Sequence, residues 1–179
     1  MNVILKGKTK AIAETMVEEG YANTQSEAIR LALVDFEQRH LGEVELVNRK
    51  LDKIDHDIKV GKRKLLNASE AMGSYSKHLK WYSIPYRAAF DEDWPKYFSS
   101  LDHSTKERVA KKIQKILEFP QKRHLKKGAQ FFVDEAGSDR ITYRVFEQNK
   151  EVRFYFVGNH KDYEKWYRQF FWKQIGKET

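Results

Sequence analysis

The chain has no cysteine among its 179 residues. That absence excludes disulfides, thiolate nucleophiles and cysteine-based zinc sites together. No apolar run approaches the length that spans a bilayer, and the N-terminus lacks the apolar stretch of a signal peptide. The reading is a soluble, cytoplasmic protein with no membrane partner. The six histidines show no metal-ligand spacing. There is no glycine-rich phosphate loop and no Ser-His-Asp pattern. Neither a metal nor a cofactor is expected. What is present is a hydrophobic fraction of 40% and an aromatic fraction of 13%, enough to bury a core and to exclude wholesale disorder. The formal charge of +8 is uneven. Residues 1–80 carry 14 Lys+Arg against 12 Asp+Glu, and residues 81–179 carry 20 against 14. A basic surplus favours nucleic acid as a partner.

Two modules emerge along the chain. The first opens with a short strand, "NVILK", in which Val3 and Leu5 alternate with Asn2, Ile4 and Lys6. A helix follows with Ile12, Met16 and Val17 on one face, ending at Gly20. A second helix starts at "NTQSE", where Asn23 or Thr24 can cap and Glu27 lies three residues past Thr24. Its apolar face is Ala28, Ile29, Leu31, Ala32, Leu33 and Phe36. One strand and two helices cannot bury these faces alone. They are part of a larger α/β core, or the strand pairs with a second copy of itself.

The stretch "MNVILKGKTKAIAETMVEEGYANTQSEAIRLAL" resembles a ribbon-helix-helix domain, the fold of many small repressors and antitoxins. The resemblance implies a homodimer whose paired strands enter the DNA major groove and read base edges. The outward side chains would then be Asn2, Ile4 and Lys6. Ile4 departs from the family, where a polar reader is commoner. It can contact thymine methyls, or DNA binding is weak.

Residues 40–66 continue as a helical stripe, with Val44, Val47, Leu51, Ile54 and Ile58 spaced 3, 4, 3, 4. Gly61 and "KRK" interrupt it, Leu65, Leu66, Ala68, Ala71 and Met72 form a shorter apolar piece, and "GSYSKH" (73–78) has the composition of a linker. So short a seam can form a dimeric coiled coil or lie in a groove of another domain. The basic and aromatic second module favours the groove. That module opens with "WYSIPY" as a strand. "FDEDWPKYFSSL" reads as a helix with Phe90, Trp94, Tyr97 and Leu101 on one face. "STKERVAKKIQKILEF" reads as another, with Ser104 and Glu107 as a capping box. Three strand-like runs, "AQFFVDE", "RITYRVFE" and "EVRFYFV", and a final helix "DYEKWYRQFFWKQ" complete the order βααβββα.

Residues 81–172 resemble the RelE/ParE superfamily of toxins. The features that carry the resemblance are "RVAKKIQKIL" with its following proline and "DRITYRVF" followed by "FYFVGNHKDYEKW". The family pairs with antitoxins that are often ribbon-helix-helix at the N-terminus and wrap the toxin with C-terminal helices. The resemblance therefore implies an α+β chain in three parts. Residues 1–40 would dimerise and bind operator DNA, residues 41–80 would cover the toxin through Val47, Leu51, Ile54 and Ile58, and residues 81–179 would form a RelE-like domain with an antiparallel sheet.

Period-two alternation sets Arg140, Thr142 and Arg144 on one sheet face and Ile141, Tyr143 and Val145 on the other. In the next strand, Arg153 and Tyr155 oppose Val152, Phe154 and Phe156. Metal-free RNA cleavage needs a proton acceptor for the 2′-hydroxyl, cations for the pentacoordinate phosphate and a donor for the leaving 5′-oxygen. Arg140 can be the fixed cation, in the position of a strand arginine of the mRNA-cleaving relatives. His160 can be the acid, where relatives carry arginine or histidine. Tyr163, Trp166 and Tyr167 can stack on a base or donate a hydrogen bond. Lys126, Lys127 and Lys161, with Arg144 and Arg153 on the basic face, can hold phosphates. Read without the family, a strand arginine is more often a surface ion pair than a catalyst. The lysines that RNA-cleaving relatives place before Arg140 are missing here, and Asp134 and Glu135 stand there to repel phosphate.

The resulting expectation is a toxin and antitoxin in one chain. Its toxin domain would be a ribosome-dependent mRNA endonuclease with ribosome and mRNA as partners, and its N-terminal part would repress its own operon. The alternatives are a repressor with an inactive toxin domain and a ParE-like inhibitor of DNA gyrase.

Overall fold

The computed structural model describes residues 4–80, 82, 84–120 and 128–175, without the side chains of 36–41 and 169–175. The chain forms two compact units, Met1–Glu43 and Val44–Thr179. In the first, helix α1 (Gly7–Glu18) is followed by the start of helix α2 (Gln25–Lys59), which runs on into the second unit. Gly20 takes a left-handed φ of +77°, and the Tyr21 and Ala22 N–H groups both return to the Met16 carbonyl, closing α1. At the start of α2, Thr24 Oγ1 accepts the Glu27 N–H at 3.1 Å and the Glu27 carboxylate accepts the Asn23 N–H at 2.9 Å. Thr24 is therefore the cap, and Asn23 instead donates to Glu27. The small core is Ala13, Ala22 and Ala28, backed by Leu5, Met16, Val17 and Leu31. Ile4, Ile12, Leu33 and Val34 remain exposed. Residues 4–6 form no strand, and Asn2 and Val3 lie outside the described residues. Lys6 is nonetheless extended, at φ −133° and ψ 154°. A strand needs a ladder partner, and the described residues of this chain supply none there.

The second unit is α+β. Its five-stranded sheet has the order β1-β2-β5-β4-β3, with β1 Leu65–Leu66, β2 Arg87–Asp91, β3 Phe132–Ala136, β4 Asp139–Phe146 and β5 Glu151–Asn159. The sheet is mixed rather than antiparallel, because β2 pairs parallel with β5. The chain leaves β2, passes through α4 (Trp94–Ser99) and α5 (His103–Glu118), and re-enters by the β3–β4–β5 meander, so β5 arrives pointing as β2 does. The first strand of this module is "RAAFD", not "WYSIPY": Ile84–Tyr86 carry no strand, and Phe90 lies in β2 rather than on a helix. Asp102, not Ser104, caps α5 by accepting the Thr105 N–H at 3.0 Å. Val109, Ile113, Ile116 and Leu117 of α5 pack with Phe90, Trp94, Ile141, Tyr143 and Phe154 on one face of the sheet.

A bulge in β5 changes the expected alternation. Thr142 pairs with Phe156 and Tyr143 with Phe154, so Tyr155 is the extra residue. Beyond it the parity flips. Phe156, expected with Phe154, instead joins Tyr155 in the core on the other face, and Val157 returns to the α5 side.

The segment before β2 is built into this unit. β1 adds to the outer edge of β2, pairing Leu65 with Asp91 and Leu66 with Phe90. Helix α3 (Ala68–Met72) is closed by a reciprocal Asn67–Glu70 capping box. "GSYSKH" is a 3-10 turn rather than a loose linker. Tyr75 packs edge-on against Phe98 and its hydroxyl meets His103 Nδ1 at 2.6 Å. Arg63 ties down the turn after α2. Its Nε and Nη2 grip the buried Asp91 carboxylate at 3.1 and 2.9 Å, and Nη2 reaches Asp93 at 2.7 Å. Burial raises the Asp91 pKa, against the pull of Arg63. Arg63→Ala would leave that carboxylate unpaired. It is expected to cost about 3–5 kcal/mol, read as a lower urea midpoint at unchanged slope. No loss of midpoint would show that Arg63 is not the anchor.

Candidate functional site

The face of the sheet opposite α5 carries Arg140, Thr142 and Arg144 from β4 and Arg153, Tyr155 and Phe156 from β5. The second half of α2 lies on it. Val44, Val47, Leu51 and Ile54 are buried there against Phe131, Tyr155, Phe156, Tyr163, Trp166 and Tyr167, with Ile58 at the margin. The 3-4-3-4 spacing sets these residues on one side of the helix, so the seam meets the aromatic face along its length.

Polar contacts flank the seam. Asn48 Nδ2 donates to the Gly128 carbonyl at 2.9 Å, and Asn48 Oδ1 accepts the Gln130 N–H at 3.0 Å. Lys50 bonds the Trp166 carbonyl and stands 4.3 Å from the centre of the Trp166 ring. On the other flank, Arg144 meets Asp52 and Asp55, each at 2.8 Å. Arg153 also bonds Asp55, and the Tyr155 hydroxyl donates to Asp55 at 2.7 Å. Burial, then the Asp55 charge, hold the Tyr155 pKa far above its ordinary value, so this hydroxyl stays a donor. Glu151, itself buried, supports Arg153 from below at 2.8 Å.

These positions revise several expectations. Arg144 and Arg153 do not form an open basic surface; both are engaged by carboxylates. Tyr163, Trp166 and Tyr167 do not offer faces to a base. They stand at helical spacing on α6 (His160–Ile175) and turn inward, where α2 covers them. Asp134 does not face the proposed phosphate site, because it is buried toward α5 and paired with Lys112 at 2.7 Å.

Arg140 differs from the other two arginines. It is partly exposed, its guanidinium lies 5.3 Å from the centre of the Tyr163 ring, and no described carboxylate comes within ion-pair distance. Its cross-strand partners are Glu135 on β3 and Gly158 on β5. His160 begins α6 two residues beyond Gly158, and His160 and Lys161 are both exposed. Asn159 caps this helix, accepting the Asp162 N–H at 3.0 Å. A fixed cation, an imidazole and an ammonium thus share one end of the sheet. Beside them a cleft of about 440 Å³ is lined by Lys50, Lys96, Tyr97, Asn159, Lys165 and Trp166, among others. Between Arg140 and Arg144, Thr142 buries its hydroxyl with no partner among the described residues.

Lys126 and Lys127 lie outside the described residues, as does Asn2, while Ile4 and Lys6 are exposed in the first unit. Among the described residues there is no cluster able to hold a metal ion and no helix long and apolar enough to cross a membrane. The sequence reading missed Asp52, Asp55 and Asn48. A signal existed: Asp52 and Asp55 each directly follow a seam residue, Leu51 and Ile54, and so emerge together on one flank.

No family model matches the chain, and no curated protein is significantly similar to it. Among solved structures, it is similar to a chain of the intact RelBE toxin–antitoxin complex of E. coli. The identity is 26% and the TM-score 0.38, over 41% of this chain and 95% of that one. It is also similar to a chain of the RelBE2 toxin–antitoxin complex from Mycobacterium tuberculosis, with 18% identity and a TM-score of 0.38 over 43% of this chain and all of that one.

Proposed function

We propose that this chain is a type II toxin and its antitoxin in one polypeptide. The second unit holds a RelE-like, ribosome-dependent mRNA endonuclease that α2 covers in cis. One observation carries this reading. The seam Val44, Val47, Leu51 and Ile54 occupies the aromatic side of the sheet, and Asp52 and Asp55 occupy Arg144 and Arg153. Surfaces of stacked aromatics and cations suit single-stranded RNA, and here the same chain conceals them. Once the cover lifts, Arg140 would stabilise the charged phosphorane and His160 would protonate the 5′-oxygen. Tyr163 would become available to a base, and Lys161 would hold a neighbouring phosphate. Expression of residues 62–179, which keep β1 and α3 in the core but lack the α2 cover, with growth and mRNA integrity followed, tests the reading. Intact mRNA in growing cells would leave a repressor with an inactive toxin domain, which the unneutralised Glu135 opposite Arg140 also favours.

The first unit would dimerise as a ribbon-helix-helix and repress its own operon. Extended Lys6 and the exposed Ile4, Ile12 and Leu33 support a second copy as its partner. Light scattering at micromolar concentration should give twice the chain mass, and a monomer there overturns the ribbon. Binding to the operon's own promoter should weaken steeply with salt. Lys6→Ala should reduce it for all sequences and lower the salt slope by roughly one. Equal affinity for random duplex would exclude autoregulation.

A further inference from the structure

Arg144 and Arg153 are direct cross-strand partners in the β4–β5 ladder. Two like charges placed opposite each other destabilise a sheet unless an anion lies between them. Of the two, Glu151 reaches only Arg153, and it shares its charge with Arg87, while Arg144 has its Nε committed to the Gln130 carbonyl at 3.1 Å, which fixes the guanidinium plane. The remaining guanidinium edges and the Tyr155 hydroxyl converge on one point, and the Asp55 carboxylate occupies it with all three as donors. Such a cradle has the donors of an oxyanion site: one Nη1–H from each guanidinium and a hydroxyl, in a largely buried setting. The apolar seam also holds α2, so these ion pairs add to its adhesion without supplying all of it.

Resting on the function proposed above, we infer that Arg144, Arg153 and Tyr155 form a phosphate-binding subsite for the backbone of single-stranded RNA, and that Asp55, aided by Asp52, occupies it as an internal substitute for a phosphodiester. The cover then competes with RNA for the same donors. The apparent affinity of the face for RNA is the intrinsic one reduced by the fraction of time the cover is off. Asp55→Asn with Asp52→Asn removes the substitute anions and leaves the seam in place.

The test uses the full chain and a short 2′-O-methyl RNA, which cannot be cleaved, so its outcome is independent of any nuclease activity. At low salt the D52N/D55N variant should bind this RNA at least roughly tenfold more tightly than wild type, the worth of about one charge-assisted hydrogen bond. Adding Arg144→Gln and Arg153→Gln should abolish the gain. If D52N/D55N lacks a cooperative melt, D55N alone carries the test, with a smaller gain expected and the same dependence on the arginines. Three results overturn the subsite: no gain in a folded variant, a gain that survives loss of both arginines, or a gain for inorganic phosphate without one for RNA. Failure of mRNA cleavage with a preserved gain would discard the nuclease and keep the subsite.

Discussion

A full-length chain carrying Leu51→Asp and Ile54→Asp is expected to arrest growth and deplete mRNA, where the wild-type chain does neither. Both side chains are buried in the seam against Tyr155, Phe156, Tyr163 and Trp166. A carboxylate there has no partner in an apolar setting, and burying a polar group without a hydrogen bond costs about 2–7 kcal/mol. The helix can escape that cost by leaving the face, so the substitutions shift the covered form toward the open one. Arg49→Ala, at an exposed position of the same helix, is the matched control and should be silent. The measurement is growth after induction together with the length distribution of ribosome-bound mRNA. If residues 62–179 alone are toxic while the double substitution changes nothing, α2 is not the neutralising element.

In that uncovered background, Arg140→Ala should reduce mRNA cleavage by about 10²–10³, the usual effect of removing one preorganised group at a charged transition state. His160→Ala should cost about 10²–10⁴ by lost proton transfer. Arg140 is half-exposed against the Tyr163 ring and His160 is exposed at the first turn of α6, so neither change leaves a core cavity and both variants should melt as their parent does. Cleavage on purified translating ribosomes, with the 2′,3′-cyclic phosphate end as product, reads the effect directly. Full cleavage by the double variant would sink the assignment of both residues.

Period two and the heptad seam made much of this legible from the sequence. The meander runs β3, β4 and β5 appear where alternation sets them, and Val44, Val47, Leu51 and Ile54 were identifiable as a stripe from spacing alone. What escaped was non-local. β2 is buried in the middle of a mixed sheet and pairs parallel with β5, so its "RAAFD" shows no alternation, and the more apolar "WYSIPY" drew the strand assignment instead. The bulge at Tyr155 depends on ladder register, which no single strand encodes, and it moved Phe156 to the other face. The serine and glycine of "GSYSKH" suggested a linker, yet Tyr75 finds Phe98 and His103 to pack on. At the candidate site, Arg140 and His160 were legible as chemistry. The burial of Tyr163, Trp166 and Tyr167 follows from their i, i+3, i+4 spacing, a core signature that outweighs their capacity to stack on a base. Asp55, which joins Arg144 and Arg153, lies 89 and 98 residues away from them, on a helix whose docking face alternation does not give.

Because the backbone runs unbroken from α2 through the turn at Gly61 into β1 and β2, the proposed inhibitor and its proposed target would be synthesised at a fixed ratio of one to one. Dilution at cell division cannot part them, and uneven translation of two separate messages cannot arise. A short tether holds the detached helix at an effective concentration in about the millimolar range, whatever the number of copies in the cell. The exposed fraction of the proposed toxin is then set by a unimolecular equilibrium constant, so it changes with sequence, ligands or chain cleavage, and not with expression level.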